Sequence, residues 1–140
     1  MWILSIAHMY YVGHGDPGST AEGEFNNCLI DSLRQCIGVP CSRPAVRNDL
    51  IVRHQFDVGR ARVTHDSYLD VGEHWTSILS SIFRHHTAAT SVPSSLEDYC
   101  VIALHRDREG HGVVMGSLAA RYTLVVMNSS DIHFDPCLPL

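Results

Sequence analysis

Apolar positions crowd the start of the chain, then settle into helical spacing, then return to short unbroken runs. From Trp2 to Val12 the sequence is almost wholly apolar apart from Ser5 and His8, which predicts one or two buried strands. Gly13 to Gly23, with Pro17, Ser19 and Thr20, is a loop. Leu29, Ile30, Leu33, Cys36 and Ile37 share one face of a helix from Asn27 to Ile37, with Asp31, Arg34 and Gln35 on the other. Asn26 or Asn27 suits its N-cap, and Gly38 followed by Pro40 ends it. A second helix is expected over Ser42 to Gln55, with Ser42 as cap and Pro44 in the first turn. A third is expected over Asp70 to His86, on a stripe of Val71, Trp75, Ile78, Leu79 and Ile82.

Beyond Ser91 to Ser95 the period shortens. Tyr99 to Leu104, Gly112 to Met115 and Tyr122 to Met127 are strand-like runs, separated by segments rich in Gly, Ser, Asn and Asp. A short strand is expected to begin at His133. Helices first and most strands last give an α+β class, with N-terminal helices packed on a C-terminal, mostly antiparallel meander. No internal repeat or linker divides residues 1–140, so one domain is expected.

Composition narrows the partners. With 140 residues, 45% of them hydrophobic, the chain can bury one core. A net charge of −5 argues against nucleic acid. The five cysteines form no Cys-x-x-Cys pair, so neither a disulfide framework nor a four-thiolate zinc site is indicated, and free thiols suit a reducing, cytoplasmic compartment. The apolar N-terminal run is too short to span a bilayer and lacks a basic n-region, so no membrane association is expected.

Chemistry concentrates at two places. Cys28 follows Phe25-Asn26-Asn27 at a predicted helix start, where exposed N–H groups and the helix dipole favour a thiolate. The amides of Asn26 and Asn27 are candidates for an oxyanion hole. Near the other end, Ile132-His133-Phe134-Asp135-Pro136 places a base and a carboxylate two residues apart, on one face of a strand. A nucleophile, a base and an orienting group make a Cys28, His133, Asp135 triad, with an ion pair expected between the first two. The plainer alternative is a small buried cysteine at a helix start and a surface His–Asp pair.

Those residues carry a resemblance. Asn26-Asn27-Cys28-Leu29-Ile30-Asp31-Ser32-Leu33 resembles the cysteine motif of the ovarian-tumour (OTU) deubiquitinases, Asp-Gly-Asn-Cys-Leu-Phe followed by a helix. His133-Phe134-Asp135 is similar to that family's late His-aromatic-Asp/Asn motif. Where the family often has an aspartate three residues before the cysteine, this chain has Phe25. The resemblance implies a papain-like fold and hydrolysis of the bond at the C-terminus of ubiquitin or a ubiquitin-like protein. It implies no metal or organic cofactor. The oligomeric state is not read from the sequence, a monomer being the expectation, and the expected compartment is the cytosol, the host cytosol for a delivered effector. Ubiquitin's basic tail would then be met by carboxylates, for which Asp66, Asp70 and Glu73 are the candidates, although a solvated helix face accounts for them equally. Two rival functions stay open: an inactive domain of this fold that only binds ubiquitin or another protein, and an amidase or acyltransferase using the same triad.

Two other patterns point elsewhere. Gly13-His14-Gly15-Asp16-Pro17-Gly18 matches a dinucleotide-binding turn, but no helix opens from it, so a loop or a flap beside the substrate groove is the reading. His65, His74, His85 and His86 surround the third helix without the spacing of a closed zinc set.

Overall fold

Local capping chemistry sets three of the helix ends. In the computed structural model, which describes residues 9–19, 25–56, 62–108, 110–130 and 132–140, helix α1 runs Cys28–Ile37. It stops at Gly38, whose φ of 84° is the left-handed conformation of a helix C-cap, and the Gly38 N–H returns to the Arg34 carbonyl. Helix α2, Arg43–Arg53, starts at Ser42, whose hydroxyl accepts from the Ala45 N–H at 3.2 Å. Helix α3, Val71–His85, starts at Asp70, which accepts from the Glu73 N–H at 2.9 Å. No helix among the described residues is long and apolar enough to cross a membrane.

Strands β1 (Tyr10–Val12), β2 (Tyr99–His105), β3 (Gly112–Met115), β4 (Tyr122–Ser129) and β5 (His133–Pro139) form one sheet in the order β1-β5-β4-β2-β3. The chain is α+β, with the helices ahead of four of the strands. The expected meander needs correction. β2 and β3 form an antiparallel hairpin, but β4 crosses to the far side of β2 and pairs with it in parallel, Tyr99 opposite Tyr122. Tyr99 to Leu104 is buried at every position, so β2 needs cover on both edges and both faces. β3 cannot supply the inner cover, because it is four residues long with Val113 half exposed, and it stays at the edge. The crossing passes close under the start of β2. At Gly116 (φ 84°) an added Cβ would stand 3.1 Å from the Tyr99 carbonyl oxygen and 3.3 Å from the Trp75 ring.

The sheet has two buried faces. Val101, Ala103, Leu124, Val126 and Phe134 pack against Leu29, Leu33, Leu50, Ile78 and Ile82 of the three helices. Ile102, Leu104, Val125 and Cys137 form a smaller cluster, with Tyr10, Val114 and Met127 packed against it. Successive residues of β5 therefore face opposite ways: Phe134 toward the helices, and His133, Asp135 and Cys137 away from them. The buried N-terminal strand expected from Trp2 to Val12 is corrected within the described part. Among the described residues β1 pairs only with β5, so it is an edge there, and Tyr11 and Val12 are exposed; the remainder, Trp2 to His8, lies outside the described residues.

Candidate functional site

Cys28 is the first residue of α1, and its sulfur lies against β5. Its S–H donates to the Ile132 carbonyl at 3.6 Å, and its sulfur accepts from the Phe134 N–H at 3.4 Å. These two backbone groups lie on the side of β5 away from β4. The sulfur thus occupies the position in the sheet where β1, had it been longer, would have bonded. Residues 132 and 134 flank His133, so a contact spanning more than a hundred residues puts the cysteine beside the backbone of the expected base.

His133 and Asp135 meet as the two-residue spacing predicts. The His133 Nε2 stands 2.9 Å from Asp135 Oδ1. An ionised carboxylate can only accept, so Nε2 carries the proton and the lone pair of a neutral ring is on Nδ1. Asp135 is buried and held from several directions: Gly15 N–H donates to Oδ1 at 2.9 Å, and Arg106 Nη2 lies 3.5 Å from Oδ2. Gly15 reaches the carboxylate because it has no side chain; a Cβ there would collide with the Phe134 carbonyl oxygen and crowd Ser32 Oγ, which itself donates to that carbonyl at 3.1 Å.

The glycine-rich segment expected as a loop or flap is a tied strap. Gly13 N–H donates to the Pro136 carbonyl, Asp16 N–H to Asp31 Oδ2, and Gln35 Nε2 to the His14 carbonyl. Arg43 pairs with the Asp16 carboxylate at 2.8 Å. The strap joins β5 to α1 and leaves the His14 ring exposed, 4.0 Å from Asp135 Oδ1 and 6.3 Å, centroid to centroid, from the His133 ring.

Behind the cysteine stands a residue that the sequence pattern missed. Arg47 of α2 is 2% exposed. Its Nε donates to Asn27 Oδ1 at 2.9 Å, its Nη1 to the Thr64 and Ser67 carbonyls, and its Nη2 to the Phe25 and Asn26 carbonyls at 3.0 Å each. One guanidinium thereby holds the turn in front of Cys28 to α2 and to the segment before α3. Burial pulls its pKa down to about 10, so it is still charged at neutral pH. Its only sequence signal was an arginine at Val46-Arg47, next to a core position of an amphipathic helix.

The other expected site residues fall as follows. Asn27 is buried and its side chain is taken by Arg47, so it does not cap α1 with that side chain. Its N–H donates to the Pro17 carbonyl at 3.0 Å, which corrects its expected place in an oxyanion hole, since a donor already paired within the fold has no bond to offer a substrate. Asn26 has a φ of 52°, and its side-chain amide donates to the Asp66 carbonyl. The amide that donates to the sulfur is that of Phe134. The Asp66 carboxylate accepts from Thr64 Oγ1 at 3.0 Å, and Asp70 serves as the α3 cap. Glu73 is exposed in the first turn of α3.

The expected ion pair is also corrected. Cys28 is 4% exposed, and its hydrogen bonds go to backbone groups rather than to the imidazole. Burial, the largest influence, pushes its thiol pKa up, and the surrounding amides only partly oppose this. The resting sulfur is a thiol. The arrangement can still perform nucleophilic chemistry if the proton passes to His133 Nδ1 when an acyl group enters, because catalytic hydrogen bonds commonly tighten only with substrate in place.

Comparison of the chain with protein-family models, with curated proteins and with solved structures finds no match.

Proposed function

We propose that the protein is a cysteine hydrolase of the OTU-like kind, acting on the C-terminus of ubiquitin or a ubiquitin-like protein. The observation that carries this reading is the seat of Cys28 Sγ on the backbone either side of His133, whose Nε2 is held at 2.9 Å by Asp135. Cys28 attacks the terminal carbonyl and passes its proton to His133 Nδ1. The imidazolium, steadied by Asp135, protonates the departing amine, and water then releases the acyl group from the sulfur. The N–H groups of the first turn of α1, beginning at Cys28 and Leu29, serve the developing oxyanion. Asp66, beside the turn before Cys28, is the best placed of the three acidic candidates for a basic tail.

A ubiquitin probe bearing a C-terminal electrophile tests this. The wild type should form a covalent adduct, Cys28→Ala none, and His133→Ala little. One observation favours a second reading, a non-cleaving binding domain: the sulfur is buried and un-ionised. Binding of ubiquitin without adduct would select that reading, and turnover of small amides alone would select an amidase or acyltransferase.

A further inference from the structure

The geometry points to a binding site for a divalent transition-metal ion of the zinc class, formed by His14, His133 and Asp135, whose occupation disables His133 as a base. The second half of this inference rests on the hydrolase reading above; the first half does not.

Two separate constraints bring the three ligands together. His133 and Asp135 share a face of β5, and the strap delivers His14 to the same face. The donor atoms of the three side chains all lie within 4.8 Å of one another, and among the described residues no other group of three His, Cys, Asp or Glu side chains gathers this closely. A zinc ion bound at about 2.0–2.1 Å by nitrogen and oxygen ligands sets neighbouring donors roughly 3.3–3.5 Å apart. The separations here, 2.9 Å from His133 Nε2 to Asp135 Oδ1 and 4.0 Å from His14 Nδ1 to the same oxygen, bracket that spacing.

His133 Nε2 and Asp135 Oδ1 have to part slightly to admit the ion, and the His14 ring has to turn. Its backbone is pinned on both sides, by Gly13 N–H on the Pro136 carbonyl and Gly15 N–H on Asp135, and its own carbonyl accepts from Gln35 Nε2 at 2.6 Å. The ring is exposed, so an ion can arrive from solvent and keep water on an open position. Two imidazoles and one carboxylate suit zinc and its first-row neighbours and are a poor set for calcium or magnesium. The Gly15 N–H and Arg106 hold the carboxylate in place as outer partners.

The consequence for His133 follows from proton accounting. Without metal, the neutral ring carries its proton on Nε2 and its lone pair on Nδ1. A metal ion takes an Nε2 lone pair, so the proton moves to Nδ1, or one proton leaves if the ring began as imidazolium. The ring then has no free lone pair to accept the Cys28 proton.

Zinc uptake by the full chain, measured by calorimetry and by competition with a chromophoric chelator, tests the site. The wild type should bind one ion. His14→Ala and Asp135→Asn should each weaken binding at least about tenfold, whereas His65→Ala, at an exposed histidine outside the cluster, and Cys28→Ala should bind as the wild type does. Cobalt substituted for zinc should give the visible spectrum of nitrogen and oxygen ligation without the thiolate charge-transfer band. Adduct formation with the ubiquitin probe should slow several-fold with zinc in the wild type, recover with chelator, and show a with-to-without ratio of one in His14→Ala. No uptake by the wild type, undiminished uptake by His14→Ala, or loss of uptake in Cys28→Ala overturns the site. Uptake through His14 with an unchanged probe reaction overturns its control of His133. Uptake in a protein that never reacts with the ubiquitin probe leaves the metal site standing and removes the hydrolase reading.

Discussion

Replacing Arg47 with methionine keeps most of the side-chain length and removes every donor. In the native fold the guanidinium serves five acceptors at 2.9–3.2 Å: Asn27 Oδ1 and the carbonyls of Phe25, Asn26, Thr64 and Ser67. Each buried acceptor left unpaired costs about 1–3 kcal/mol, and less where water can reach it. Asn27, 1% exposed, bears the full cost, whereas the carbonyls lie at the margin of the buried region and recover part of theirs. Against this, the substitution removes a desolvated charge, the same burial that lowers the Arg47 pKa to about 10. The balance is a loss of about 2–4 kcal/mol, a sizeable share of the 5–15 kcal/mol that holds a typical domain together. In urea the midpoint should fall by about 1–2 M. Hydrogen exchange should localise the damage, with faster exchange of the Asn27 N–H, now bonded to the Pro17 carbonyl, and of the Asp31 N–H, bonded to the Asn27 carbonyl. Arg47→Lys keeps the charge but cannot fork to both loops, so it should recover only a minor part. A methionine variant with the native midpoint and unchanged exchange at Asn27 would show that the clamp is not what holds the turn.

Four further outcomes follow from other contacts of the fold. Because burial raises the Cys28 pKa, alkylation of this residue without substrate should accelerate only above the pH at which an ordinary thiol ionises, and fast labelling near neutral pH would contradict the resting state described above. The same shift fixes a stability trend: the unfolded chain loses the Cys28 proton first, so stability falls as pH rises past the ordinary thiol value, and Cys28→Ser should flatten that alkaline slope in pH-dependent unfolding. Gly15→Ala should cost about 1–3 kcal/mol through the collision with the Phe134 carbonyl; a stability unchanged in thermal melts would mean that the strap gives way freely. Asp70→Ala should cost about 0.5–2 kcal/mol, as expected for a lost helix cap, with Asp70→Asn or Asp70→Ser restoring most of it in urea titrations.

The helices, their ends and the apolar runs that become strands are legible in the sequence because short-range chemistry sets them. Gly38 ends α1 through its left-handed φ, Ser42 and Asp70 each satisfy an N–H three residues on, and apolar spacing marks the faces that pack. The pairing of His133 with Asp135 is local in the same sense, since strand geometry alone puts positions two apart on one face. Other features depend on contacts between distant residues, which no window of sequence contains. The parallel pairing of β4 with β2 follows from which strand can be covered on both sides. The fate of Cys28 was settled by packing: a helix start favours a thiolate, but its seat against β5 removes water from the sulfur, and that desolvation outweighs the nearby amides. Arg47 as a clamp and His14 as a neighbour of Asp135 likewise exist only once α2 and the strap are docked. Amino-acid order thus set the local elements and the residues available for chemistry, whereas burial and long-range hydrogen bonding decided which of them meet and in what protonation state.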